Sequence, residues 1–394
     1  MKSEAERLSA LTGVARVDAG FGWLDANCQL EPGPVATWIT ARMTHVAALA
    51  VLSGLTGGDG EVDQLEVAAH GVAALSGPLS DTNCGGWFAT VGAEGPVDDA
   101  KRAYDHAFVL LAASSAMAAD VSGSQDLMER VLSVLDEKFW QPREQMFVDS
   151  WDRAFDVLDD YRGINANMHM VEALLAAGEV TGDRTLIQRA DLVAARVVNW
   201  AESNNWRIPE HFDAHWNVLL DYNREAAADP FRPYGATMGH GLEWARLLLH
   251  LDAAPGQASD RLSAAVLLYD RAVADGWAVD GADGFIYTAD WDGRPVTRDR
   301  MHWVCCEAIA AAATLAERTG ESRFEEDYER WWEFAKRYLL DLQGGSWHHA
   351  LDARNVPDYT VWTGKPDLYH AVQACVLPMN PLAASVVAGI RSER

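Results

Sequence analysis

Six histidines recur along the chain at nearly even spacing, each near the start of an apolar helical run: His45, His106, His169, His240, His302 and His370. The intervals are 61, 63, 71, 62 and 68 residues, about the length of one helix pair with its loops. Self-similarity at a fixed period marks a repeated supersecondary unit. Six helix pairs closed into a ring would aim six helix starts, with their polar side chains, at one central cavity. The repeat therefore predicts one closed all-α domain spanning 1–394.

Two helix types alternate. Segments 35–54, 98–120, 164–179, 236–252, 299–318 and 365–377 are rich in Ala, Leu and Val on most faces, as expected for inner helices buried on both sides. Segments 61–75, 124–140, 185–202, 258–276 and 322–342 carry one charged face, as expected for an outer ring with one wet side. The sixth outer helix is either the N-terminal EAERLSALTG or the C-terminal PLAASVVAGIRS. Between each outer helix and the next inner one lies an aromatic stretch, such as FGWLDANC, QMFVDSWD or GFIYTADWDGRPV. Aromatics alternating around Asp-rich turns predict short hairpins crowning the cavity mouth.

A net charge of −26, from 58 acidic and 32 basic residues, argues against a nucleic-acid or anionic-membrane partner. No window approaches the ~18 uninterrupted apolar residues of a membrane span. The N-terminal MKSEAERLSALTG lacks the apolar core of a signal peptide. The five cysteines, Cys28, Cys84, Cys305, Cys306 and Cys375, show no metal-like spacing and read as reduced thiols. The expectation is a cytoplasmic monomer or homodimer acting on a neutral small molecule.

The inner helices carry polar stripes. His240 and Glu243 share one face, as do Asp367 and His370. Trp38, Arg42 and His45 form one line at i, i+4 and i+7, and Asn165, His169 and Glu172 another. Tyr104, Asp105 and His106 open a further helix, and His302, Trp303 and Glu307 the next. Taken singly, each stripe also fits a hydrogen-bonded core residue, a helix cap or an ion pair. Polar residues on apolar helices are costly to bury without partners, so six converging stripes point to a wet cavity. Aromatic faces beside carboxylates suit a sugar, whose CH faces stack while its hydroxyls donate. His240 sits in a first helical turn, where the positive dipole end favours the neutral base. G-x-x-x-x-G-K-[ST], H-E-x-x-H and G-x-S-x-G are absent. A metal bound by the His- and Glu-rich cavity stays open as an alternative; the reading taken is no metal and no cofactor.

The motifs ARMTH, YDHAF, NANMHMVEALL, FRPYGATMGHGLEWARLL, MHWVCCEA and GKPDLYHAVQA resemble the N-acylglucosamine 2-epimerase superfamily nearly end to end. The resemblance implies an (α/α)6 barrel, six inner and six outer helices, that isomerises or epimerises sugars. Within it the pattern is most similar to the mannose isomerase branch and its sulfoquinovose relative. Many family epimerases carry a double Trp where this chain has His302-Trp303, which favours the isomerase branch. The resemblance assigns catalysis to His240 and His370, and substrate contacts to Arg42, Tyr104, Asn165, His169, Glu243, Trp303 and Glu307, with Trp38 and Arg232 as neighbours. It implies metal-independent D-mannose to D-fructose isomerisation through a cis-enediol, possible also on lyxose. The alternatives are a sugar 2-epimerase, a sulfoquinovose isomerase, a glycoside hydrolase using Asp105 and Glu243, or a non-catalytic sugar binder.

Overall fold

The computed structural model describes residues 1–55, 62–256 and 261–392. Six inner helices stand where the apolar runs predict them: α2 (Thr37–Leu52), α4 (Ala103–Ala118), α6 (Ile164–Thr181), α8 (Met238–Asp252), α10 (His302–Thr319) and α12 (Tyr369–Val376). Each packs on the next, and α12 returns to α2 to close the ring. The amphipathic segments form the outer layer: α3 (Gln64–Ser76), α5 (Ser124–Val134), α7 (Arg184–Ser203), α9 (Leu262–Gly276) and α11 (Ser322–Phe334). Of the segments expected here, residues 61 and 258–260 lie outside the described ones. Both α5 and α11 end in a π-helical turn, at Leu135–Phe139 and Ala335–Leu339.

The sixth outer helix is the N-terminal one, α1 (Lys2–Val14), which packs on α12 and α2. The C-terminal candidate forms α13 (Val386–Ser392) instead, against α6 and α2. It buries Val386, Val387 and Ile390 beside Leu175, Leu247 and His250, at the end of the barrel opposite the helix starts.

The aromatic stretches do more than form hairpins. Hairpins exist, for example Trp140–Gln141 with Met146–Phe147, but the recurring pairing joins neighbouring units. The two residues leading into an inner helix pair with the next unit's stretch: Val35–Ala36 with Thr90–Val91, Lys101–Arg102 with Ser150–Trp151, and Arg162–Gly163 with His211–Phe212. Ala236–Thr237 pairs with Thr288–Ala289, and Arg300–Met301 with Ala350–Leu351. An Asp25–Gly364 bridge closes the circle.

This pairing solves a local problem. A helix start leaves unsatisfied N–H groups, and the starts of α2, α4, α6, α8 and α10 have no side-chain cap. Instead Thr37, Ala103, Ile164, Met238 and His302 donate their backbone N–H to the carbonyls of Ala89, Asp149, Glu210, Tyr287 and His349, at 2.8–3.1 Å. Turns in five stretches are built alike: Asp25, Asp152, Asp213, Asp290 and Asp352 each accept two backbone N–H groups with one carboxylate oxygen. Cations in the lead-in segments reach acids behind them, as in Lys101–Asp81 (3.0 Å), Arg300–Asp280 (2.7 Å) and Lys365–Asp341 (2.7 Å). The five cysteines are unpaired, and only Cys84 is exposed.

Candidate active site

The inner-helix starts surround a cavity of about 640 Å³ including its open mouth. Trp38, Tyr104, Asn165 and Trp303 wall it, each the second residue of its helix, as does His370 on α12. One turn deeper lie Arg42, His169 and Glu243. At the mouth, Phe231 and Trp362 come from two different loops and meet edge to face at 5.8 Å.

Two imidazoles are held in the same way. His240 Nδ1 lies 2.8 Å from Glu210 Oε2, and His370 Nδ1 lies 2.9 Å from Glu307 Oε1. A carboxylate accepts, so each Nδ1 carries the proton and each Nε2 offers its lone pair. Burial, and then the charge of Arg42, holds the His370 imidazole well below its usual 6.5, which keeps it a free base. Trp303 stands between the pair, its ring 5.4 Å from His240 and 5.6 Å from His370.

Gly239 makes that placement possible. It occupies the second position of α8, where the five other inner helices present a wall side chain. A Cβ there would lie 2.1 Å from Trp303 Cζ3. Alanine raises intrinsic helix stability by ~1 kcal/mol, so a purely structural effect would be mild. Gly239→Ala is expected to lower kcat/KM about tenfold or more by displacing Trp303, with little change in the unfolding midpoint. Adding Trp303→Phe should recover part of the loss relative to the single variant; kinetics on the three variants check this.

Arg42 is clamped. Nη1 donates to Asp367 Oδ2 (3.1 Å) and Nη2 to Tyr104 Oη (2.8 Å), while its guanidinium packs on Phe108, Tyr369 and Trp38. Burial opposes the charge, but Tyr104, Asp367 and Tyr369 outweigh it and the net shift is upward. Tyr104 accepts from Arg42, so its own hydroxyl proton is left for the cavity.

Beneath the floor, Arg246 gathers three carboxylates: Glu307 Oε2 at 2.9 Å, Glu243 Oε1 at 3.5 Å and Glu172 Oε1 at 3.6 Å. Three acids around one cation do not all ionise. Burial and Glu307 push Glu243 well above the carboxylate range. Glu172, despite its burial, is held low by His169, Arg246 and Tyr369. Two sets, His169–Glu172–Glu243 and Glu243–Glu307–His370, bring candidate ligand atoms within 4.8 Å of one another. Arg246 already supplies a cation to Glu172, Glu243 and Glu307, so a metal ion there would compete with a guanidinium.

Of the residues expected at the site, Trp38, Arg42, Tyr104, Asn165, His169, His240, Glu243, Trp303 and His370 line the cavity. Glu307 does not: both its oxygens are engaged, one by His370 and one by Arg246, so it backs a histidine. Arg232 also stands outside the lining, over the Tyr161 ring at 3.8 Å. Among the six repeating histidines, His45 bonds Ser115 and His106 bonds the Arg102 carbonyl, and neither reaches the cavity. Asp105 is buried off the lining too. Glu243, expected to contact substrate from the same helix face as His240, also faces Arg246 and His169; Glu210 orients His240. Glu210, Arg246, Tyr287 and His349 went unnoticed in the sequence. A signal existed for three of them. Glu210, Tyr287 and His349 hold the same place in successive stretches, the residue whose carbonyl caps the neighbouring inner helix.

The family described as N-acylglucosamine 2-epimerase (GlcNAc 2-epimerase) matches residues 19–374. The chain belongs to this family. A D-mannose isomerase of Thermobifida fusca is 47% identical over 396 residues, covering 99% of this chain and 96% of the relative. Another from Pseudomonas cannabina pv. alisalensis is 46% identical, covering 98% and 94%. Among solved structures, a D-mannose isomerase aligns with a TM-score of 0.87 at 26% identity, over 96% of each chain. The cellobiose 2-epimerase of Bacillus thermoamylovorans B4167, at 18% identity and a TM-score of 0.80, covers 96% of each chain and shares the fold. The ring of helix pairs is thus the (α/α)6 barrel of the family.

Proposed function

We propose that this chain is an aldose–ketose isomerase interconverting D-mannose and D-fructose by histidine acid–base catalysis. The observation that carries the reading is the pair His240–Glu210 and His370–Glu307, two imidazoles with free Nε2 atoms on either flank of Trp303. His240 opens the pyranose, moving the O1 proton away as the ring oxygen gains one. His370 removes the C2 proton, giving a cis-enediolate, and returns it to C1, while a proton passes from O2 to O1. The charge of Arg42 and the hydroxyl of Tyr104 stabilise the developing oxyanion. Asn165 and His169 hold hydroxyls, and Trp38 and Trp303 pack on the carbon chain.

Among the described residues, Arg42 is the one Arg or Lys in the lining, and Asp367 and Tyr104 hold its guanidinium at the reacting end of the cavity. The lining offers no second cation to a sulfonate or phosphate, which favours a neutral monosaccharide over sulfoquinovose. A hydrolase needs two carboxylates flanking the substrate; Asp105 is off the lining, and the oxygens of Asp367 meet Arg42 and the Tyr369 N–H. No helix among the described residues is long and apolar enough to cross a membrane. The reading adds one domain over 1–394, a cytoplasmic setting, a monomer or homodimer, and no metal.

Proton NMR of EDTA-treated protein with D-mannose in D2O tests it. Fructose as the first product is expected. Glucose as the first product would move the assignment to a 2-epimerase, and absence of both would overturn it for mannose.

A further inference from the structure

Two cavity histidines are unused by this mechanism. His302 opens α10 and His349 lies in the stretch that caps it; both line the cavity, 5% and 3% exposed. Their rings stack at 3.9 Å and 24°, and His302 stands edge-on to His370 at 6.3 Å. Neither Nε2 has a hydrogen-bond partner in the protein.

The opposite nitrogens fix the chemistry. His302 Nδ1 faces the His349 carbonyl at 3.2 Å. A carbonyl only accepts, so this Nδ1 carries the proton and Nε2 is a bare lone pair. The His349 ring bonds the Asp367 backbone carbonyl; with Nε2 unpartnered, that bond belongs to Nδ1, and its Nε2 is also an acceptor. Burial holds both imidazoles neutral, His302 at about 4 and His349 well below 6.5. Two buried acceptors side by side are costly unless donors meet them. A hydroxyl is such a donor. A sulfonate oxygen carries no proton to give, and a phosphate monoester is mostly without one at neutral pH.

We propose that His302 and His349 form a subsite that accepts hydrogen bonds from two neighbouring hydroxyls of the sugar, on the His370 side of the cavity. The proposal rests on the isomerase reading for the identity of the sugar. It makes the subsite a filter for underivatised chains: a deoxy position leaves an acceptor empty, and an anionic substituent sets acceptor against acceptor. Sites built to bond a hydroxyl reject the analogue lacking it far more strongly than apolar pockets reject an extra group.

The test is a double-mutant cycle between protein and ligand. Dissociation constants and kcat/KM are measured for D-mannose and its 3-, 4- and 6-deoxy analogues, on the wild type, His302→Leu, His349→Leu and His349→Gln. Two analogues are expected to lose tenfold or more on the wild type. Each Leu variant should lose about as much on mannose and then be indifferent to the matching deoxy position. His349→Gln, which keeps an acceptor, should recover part of the His349→Leu loss. Unfolding midpoints identify any variant that is simply unfolded, and His349→Gln then carries the cycle. Additive losses at every position, or no measurable binding of these sugars, overturn the subsite. Coupled binding without turnover would keep the subsite and overturn the isomerase reading.

Discussion

His370→Ala is expected to stop hydrogen exchange at C2 and to lower kcat by ~10³–10⁴-fold, the upper range for a positioned general base. KM should change little, because Trp303, Asn165 and Arg42 remain. His240→Ala should also be severe, but less so when open-chain substrate is abundant, since its role precedes the enediolate. The pH profile adds a second readout. A base works deprotonated, and His370 is held well below 6.5 by burial and Arg42. Its acid limb should therefore lie below pH 6.5, with activity level through neutrality. Glu307→Gln removes the carboxylate that stabilises the imidazolium, so the limb moves further down and kcat at pH 7 falls, on the order of tenfold. Solvent deuterium entering C2 of mannose at the wild-type rate in His370→Ala would remove this residue from the mechanism.

Acid should destabilise the fold well above the carboxylate range. Burial depresses nine histidines: His45, His169, His250 and His302 to about 4, His106 to about 3, His349 and His370 well below 6.5, with His211 and His348 lowered too. Unfolded, each takes up a proton near 6.5; folded, it does not. The unfolded chain thus binds more protons as pH falls below 6.5, and stability drops. Six carboxyls work the other way, the half-buried Asp299 and Asp327 among them. Asp105, raised to about 7, Asp149, raised to about 6, and the raised Glu243 and Glu307 are penalised at neutral pH and relieved on acidification. The histidines outnumber them, so the net effect between pH 7 and pH 5 is a loss of stability. The unfolding midpoint should fall by a few degrees over that window. A midpoint that is flat or rises from pH 7 to pH 5 would show that the carboxyls dominate.

Much of the barrel is legible because its signals are local. Ala- and Leu-rich runs with a histidine near the start mark α2 to α12, and one-sided charge marks the outer helices, to within a few residues. The wall residues Trp38, Tyr104, Asn165 and Trp303 are legible for the same reason: helical spacing turns a position in the chain into a direction in space. Residues that act across units escape this logic. Glu307 looks like a cavity carboxylate one turn below Trp303, yet its oxygens turn to His370 and Arg246, a choice made by two other helices. Arg232 precedes α8 in a motif that resembles the family's, yet it packs on Tyr161.

The sequence by itself determined the repeat, the inner and outer layers, the end of the barrel where the polar residues gather, and the His240 and His370 pair on its wall. Only the tertiary structure decided what stands behind those histidines. Glu210 sits just before a two-residue strand of another unit, Glu307 comes from the neighbouring helix, and Arg246 holds its three acids from the barrel floor. The physical reason is that periodicity fixes which way a side chain points from its own helix, whereas hydrogen bonds between units depend on ring closure, which sets chain segments 30 to 63 residues apart within 3 Å.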